Sequence, residues 1–234
     1  MKLSATLLII ATSLILGSHG SAHAQALSMS QQKLEGRIDA NRIRLEERQS
    51  DPGKAIPPQV LNAAKGIIII NRVKVGAIIG AELGNGIAMV KNADGRWGAP
   101  AFLSLGKGSF GLQAGADTSI TFLILMNDES LKLLRGGHAA TAGISLKATG
   151  GPKSVGGDIG TISLQKPIFV YSSSVGAFSG AAAEVGAFAG ASKKNHDMYG
   201  MTMDQILFGG TAMISPKAQE LINAISKYSQ VANY

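Results

Sequence analysis

The sequence predicts an α+β domain: an amphipathic helix first, then a strongly bent, glycine-rich antiparallel sheet, then a capped helix. Three observations predict it. The spacing of apolar residues changes near Gly66 from a helical period of about 3.6 to a strand period of about 2. Glycines recur inside the strand-like runs, where they mark bends and close backbone approaches, so partial closure into a barrel stays open. Ser215-Pro216 then opens a final helical repeat. The order helix, strands, helix contains no βαβ alternation. The chain has 234 residues, 45% hydrophobic and 16% charged, enough for one domain with a sizeable core and too apolar for disorder.

The first element is a leader. Met1-Lys2 is followed by an apolar run from Leu7 to Leu16, then Gly17 to Gly20, then Ala22-His23-Ala24. That order is that of a secretory signal peptide, residues 1–24, cut after Ala24, with Ala26 as a second position. The run is too short for a retained anchor, which needs about 20 apolar residues. The protein is therefore expected to be exported, periplasmic or secreted.

Residues 28–49 read as a helix with Ser28 or Ser30 as N-cap. Leu34, Ile38 and Leu45 share one face with Asn41 among them, and Ile43 points away. Lys33, Arg37, Arg44 and Arg48 lie on one flank, and Glu35, Asp39 and Glu46 on the other. So thin an apolar stripe needs a surface to lie against. Asp51-Pro52-Gly53 ends the helix, and Pro57-Pro58 starts a short one through Ala64. Strand-like segments follow at Ile67–Ile70, Val75–Leu83, Ile87–Lys91, Ala101–Leu105, Leu112–Ala116 and Ser119–Met126. Asn85-Gly86 and Asp94-Gly95 read as hairpin turns between them. A helix over Asp128–Arg135 closes at Gly136-Gly137. Strands resume at Ala140–Ala148, Gly160–Gln165, Ile168–Ser174 and the Gly/Ala-rich Val175–Ala191. Ala218, Leu221, Ile222 and Ile225 mark the last helix.

Several chemistries are excluded. Cysteine is absent, which removes disulfides, thiolate metal sites, a thiol nucleophile and a lipid-modified N-terminal Cys. Gly106-Lys107-Gly108-Ser109-Phe110-Gly111 has the G-x-G-x-x-G spacing, but strand rather than helix follows, so no helix N-terminus meets a pyrophosphate. His138 and His196 read as surface loop residues, and Glu184 stands alone. The acids form no cluster for a metal or a glycosidase pair. The chain is expected to be no enzyme and to need no cofactor or metal. Aromatics at 5% lie mostly in strand contexts, which argues against nucleic acid. The formal charge of +7 leaves an anionic membrane surface as the remaining partner. Lys65, Arg72 and Lys74 join the basic flank of the first helix as candidate lipid-binding residues, each worth roughly 1 kcal/mol at such a surface. The same sorting of charge also suits a helix docked on its own domain.

From Ala63-Ala64-Lys65-Gly66 onward the chain resembles the SYLF domain. The resemblance rests on Trp97-Gly98-Ala99-Pro100-Ala101-Phe102, on Ser104 through Gly115, and on Leu125-Met126-Asn127. It continues through Gly176-Ala177-Phe178-Ser179-Gly180, Asn195, Tyr199-Gly200 and Ile206-Leu207-Phe208-Gly209. It covers roughly residues 57–213. The family is known from lipid- and actin-binding endocytic adaptors and from exported bacterial proteins, and this chain is similar to the exported bacterial branch. The resemblance implies phospholipid binding helped by an N-terminal amphipathic helix, and it supplies no residue-level site. In a bacterial envelope it implies phosphatidylglycerol, cardiolipin or lipopolysaccharide rather than phosphoinositides or actin. The expected organisation is a signal peptide (1–24), an amphipathic helix and linker (25–56), a SYLF-like domain (57–228) and a tail (229–234). A structural or protein-interaction module of the envelope, without lipid dependence, is the alternative. An outer-membrane barrel is disfavoured by the helical spacing of residues 215–228.

Overall fold

The computed structural model describes residues 27–76, 79–110, 115–135, 149–150, 164, 166–172 and 188–231, with backbone alone at 73–76, 79–83, 106–110, 115–117 and 149–150. Helix α1 (Met29–Ser50) starts on a capping box, with the Ser28 hydroxyl accepting from the Gln31 N–H and the Gln31 side chain accepting from the Ser28 N–H. The short α2 (Pro58–Ala63) follows, with proline in its first turn, where an N–H would have no helical partner. Strands β1 (Gly66–Gly76), β2 (Ile79–Val90), β3 (Ala101–Phe110) and β4 (Gly115–Leu125) form the body of the sheet. After α3 (Asp128–Leu131) and a single 3-10 turn come β5 (Thr149–Gly150), β6 (Ile168–Ser172) and β7 (Phe188–Gly190). Three helices end the chain: α4 (Ser192–Tyr199), α5 (Met203–Phe208) and α6 (Pro216–Tyr228).

The strand order is β5-β6-β4-β1-β2-β3-β7. Every pairing is antiparallel except β5 with β6, which is parallel. The α+β class holds. Among the described residues the sheet ends at β5 and β7 and is not closed into a barrel.

β1 is buried on both faces, which is why its apolar run does not alternate. Ile67 and Ile69 pack beneath α1, α2 and α6, together with Met89, Phe122 and Leu221. Ile68 and Ile70 pack on the other face with Leu103, Leu123, Leu134 and Ile206, beneath the α3 turn and α5. The result is three layers: helices, sheet, helices.

Three expectations change. Asn85-Gly86 is no turn; both residues lie inside β2, paired with Asn71 and Ile70. Gly86 is required because a Cβ there would collide with the Ile69 carbonyl oxygen, so this glycine marks close strand approach. The bend between β1 and β2 instead falls within the segment expected to be one strand, Val75–Leu83. Asp94-Gly95 is a true turn, with Gly95 at φ +75°. Finally, the Lys193–Asp197 stretch is helical (α4), not a loop, and α5 was not anticipated. The leader (1–24), the strands expected at 140–148, 160–163 and 175–187, and His138 and Glu184 lie outside the described residues.

Candidate functional site

α1 lies across the sheet. Near its start the Ser30 hydroxyl donates to Asp197 on α4 (3.1 Å), and α4 is tied in turn to β3, where the Asn195 amide exchanges two hydrogen bonds with the Phe102 backbone. Midway, Asn41 meets Asn71 on β1: the Asn71 Nδ2 donates to Asn41 Oδ1 at 3.0 Å, and Asn41 Nδ2 donates to the Arg37 carbonyl at 2.8 Å. In the last turn the Arg48 guanidinium sits over the rings of Phe122 on β4 and Tyr171 on β6, at 5.6 and 5.3 Å. Leu34, Ile38 and Leu45, at most 4% exposed, fill the same face. The apolar stripe is therefore already covered by the protein's own sheet and is not available for insertion elsewhere.

The two flanks differ. On the acidic flank, Glu35 Oε2 accepts the backbone N–H of Lys217 in the first turn of α6 (3.0 Å). Asp39 takes Arg42 Nε (2.9 Å) and lies 3.6 Å from Lys217 Nζ, while Arg42 Nη1 donates to Glu46 (2.6 Å). Glu220 on α6 closes the network to both cations. The Arg42 hydrogen bond holds the Asp39 carboxyl below the usual range, and bonds to Asp39 and Glu46 push Arg42 up. Lys217 is likewise raised, first by its bond to Glu220.

On the basic flank Lys33 and Arg37 are exposed and Arg44 half-buried. Among the described residues none of the three has a carboxylate partner. Lys194 of α4 adds a fourth cation whose pKa is lowered by burial and by neighbouring Arg37. Its neighbour Lys193 is instead neutralised by Asp197 at 2.7 Å.

The seven residues expected to bind lipid thus do not form one patch. Lys33, Arg37 and Arg44 do line up. Arg48 turns inward onto the two rings, where burial pulls its pKa down and its Nε and Nη1 find no hydrogen-bond partner. Lys65 pairs with Asp128 at 2.8 Å. Arg72 continues the Ile68–Ile70 side of β1, so it lies on the sheet face opposite α1. Lys74 stands opposite Glu82 and Asp117 in the strand register. Lys194 was missed because its segment reads as a polar turn, although Lys193 and Asp197 at i and i+4 form a helical pair.

Among the described residues no group of three His, Asp or Glu side chains could hold a metal. Among the same residues no helix is long and apolar enough to cross a membrane. What the arrangement offers is an electrostatic surface held on a rigid helix.

Residues 106–228 match the family model Ysc84, described as "Las17-binding protein actin regulator". The chain belongs to the Ysc84 (SYLF) family. Similar proteins include the SH3 domain-containing YSC84-like protein 1 of Xenopus laevis, 26% identical over 188 residues, covering 78% of this chain and 55% of that protein. The human protein of that name is 27% identical over 186 residues, covering 78% and 54%. Protein YSC84 of Saccharomyces cerevisiae is 26% identical over 179 residues, covering 74% and 38%. The chain thus spans about half the length, or less, of these curated relatives. No solved structure matches. The Ysc84-matched segment takes in α4 and α6, the two helices against which α1 docks, while α1 itself precedes it.

Proposed function

We propose that this Ysc84-family chain is a non-enzymatic, exported protein that binds anionic phospholipid headgroups at a membrane surface. The contact is the basic flank of α1, Lys33, Arg37 and Arg44, with Lys194 beside it. The observation that carries the reading is the asymmetry of α1. Its acidic flank is engaged by Arg42 of the same helix and by the backbone and side chain of Lys217 at the start of α6, whereas the cations Lys33, Arg37 and Arg44 of its basic flank form no ion pair among the described residues. Cations left unneutralised on a docked helix attract a polyanionic surface without insertion. Export rests on the leader pattern of residues 1–24.

Co-sedimentation with vesicles tests it. Binding is expected to phosphatidylcholine vesicles containing phosphatidylglycerol, to fall as salt is raised, and to be absent with phosphatidylcholine alone. Equal pelleting with neutral vesicles, or binding indifferent to salt, would remove the mechanism. A protein partner is the second reading, favoured by the family description. Vesicle-independent capture of one protein by the same surface would select it.

A further inference from the structure

Beyond the membrane-facing flank, on the opposite side of α6, a cleft of about 580 Å³ opens between the β2–β3 turn, α5 and α6. We propose that it is a binding site for an aliphatic carboxylate, a single carboxyl group carrying a hydrocarbon chain. The volume falls within the usual range for small-ligand pockets. The aliphatic lining of the cleft comes from all three sides, Val90 of β2, Ile206 and Leu207 of α5, Ala212, and Ile222 of α6. The lining also carries Lys91, whose Nζ lies 5.0 Å from the centre of the Trp97 ring.

Lys91 selects the head. An ammonium has three N–H donors; one goes to the Asn62 carbonyl at 2.7 Å, and among the described residues no carboxylate answers the charge. Burial lowers its pKa, so the site gains from any anion that restores the lost solvation. The other cation of the lining, Arg96, is held by Asp94 at 3.0 Å. Gln219 is occupied along its own helix by Asn223. One unanswered positive charge beside apolar walls fits one negative charge, whereas a phosphate dianion would leave a charge uncompensated in a half-apolar cleft. The remaining N–H donors of Lys91 meet the two carboxylate oxygens, and the chain lies along Ile206, Leu207 and Ile222.

Trp97 is the only tryptophan of the chain, so its emission reports this cleft alone. The full chain is titrated with bromine-substituted dodecanoate, whose bromines quench indole. Saturable quenching is expected, reversed by plain dodecanoate and at least about tenfold less well by dodecanol, which lacks the charged hydrogen bonds. Lys91→Met retains a side chain over the indole and is expected to bring dodecanoate down to the level of dodecanol. Ser226→Phe, on the exposed side of α6 at the cleft, is expected to weaken both while leaving the fold intact. Unsaturable quenching, dodecanol competing as well as dodecanoate, or unchanged affinity in a folded Lys91→Met variant would each overturn the proposal. So would stronger competition by a short peptide with a free carboxyl end than by dodecanoate. Neutralising Lys33, Arg37 and Arg44 together is expected to leave the quenching unchanged, which separates failure of this site from failure of the membrane reading.

Discussion

Along α1 the acidic and basic flanks carry similar amounts of charge and meet different surroundings. Glu35, Asp39 and Glu46 face α6 or Arg42, and each has a cation or a helix N–H within reach. Lys33, Arg37 and Arg44 face away from α6, with the cation of Lys194 nearby. The difference teaches that charge sorting on a helix has two separate uses, one side orienting it on its own domain and the other exposing a field. Removal of the apolar seat breaks this comparison most severely. Ile38 is fully buried, and Ile38→Ala is expected to cost about 2–5 kcal/mol of stability in denaturant unfolding, erasing the difference between flanks as α1 loosens.

Replacing Lys33, Arg37 and Arg44 with glutamine sharpens the comparison. Three lost contacts of roughly 1 kcal/mol each are expected to weaken vesicle binding about a hundredfold, with the unfolding midpoint unchanged. A smaller effect is expected from Glu35→Gln. The first turn of α6 has no acid of its own, so Glu35 supplies the negative charge at that helix start. Its neutralisation is expected to cost about 1–2 kcal/mol in thermal or denaturant melts and to leave vesicle binding intact. Arg42→Gln is expected to cost less than about 1 kcal/mol, because its pairs are partly solvated. Acidification acts on the same network. Asp39 titrates below its ordinary value in the folded protein, so its contribution is complete above about pH 4 and is lost as pH falls through the folded value. Melting temperature measured from pH 7 down to pH 3 is expected to drop at the acid end, and Asp39→Asn to flatten that drop.

Much of this was legible in the sequence. A serine cap at Ser28 or Ser30 and the Ser215-Pro216 start marked both outer helices because caps are local; the capping box that selects Ser28 appears only in the structure. The two-sided burial of Ile67–Ile70 followed from an unbroken β-branched run. Asn85-Gly86 misled because a glycine chosen for strand contact reads the same as one chosen for a turn; only the Ile69 carbonyl opposite distinguishes them. α5 was overlooked despite its own Thr202–Gln205 capping box, because a helix of that length shows no full apolar period. In the candidate site the sign sorting of α1 was legible, but Arg48 was assigned to the wrong surroundings. It lies three residues from Leu45 and seven from Asn41, a spacing that already aligns it with the buried stripe. Lys65 and Arg72 stand apart from the α1 flank for a different reason: what surrounds them, Asp128 and the second sheet face, comes from distant parts of the chain.

The Asn41–Asn71 pair has a consequence for how the whole helix is clocked. Were α1 to roll about its axis by one residue, the Asn71 amide, 7% exposed, would look into hydrocarbon with no acceptor. The pair therefore works as a detent, discouraging intermediate azimuths that a purely greasy seam would tolerate. The compass bearing of the three outward cations is inherited from two amides buried beneath the helix.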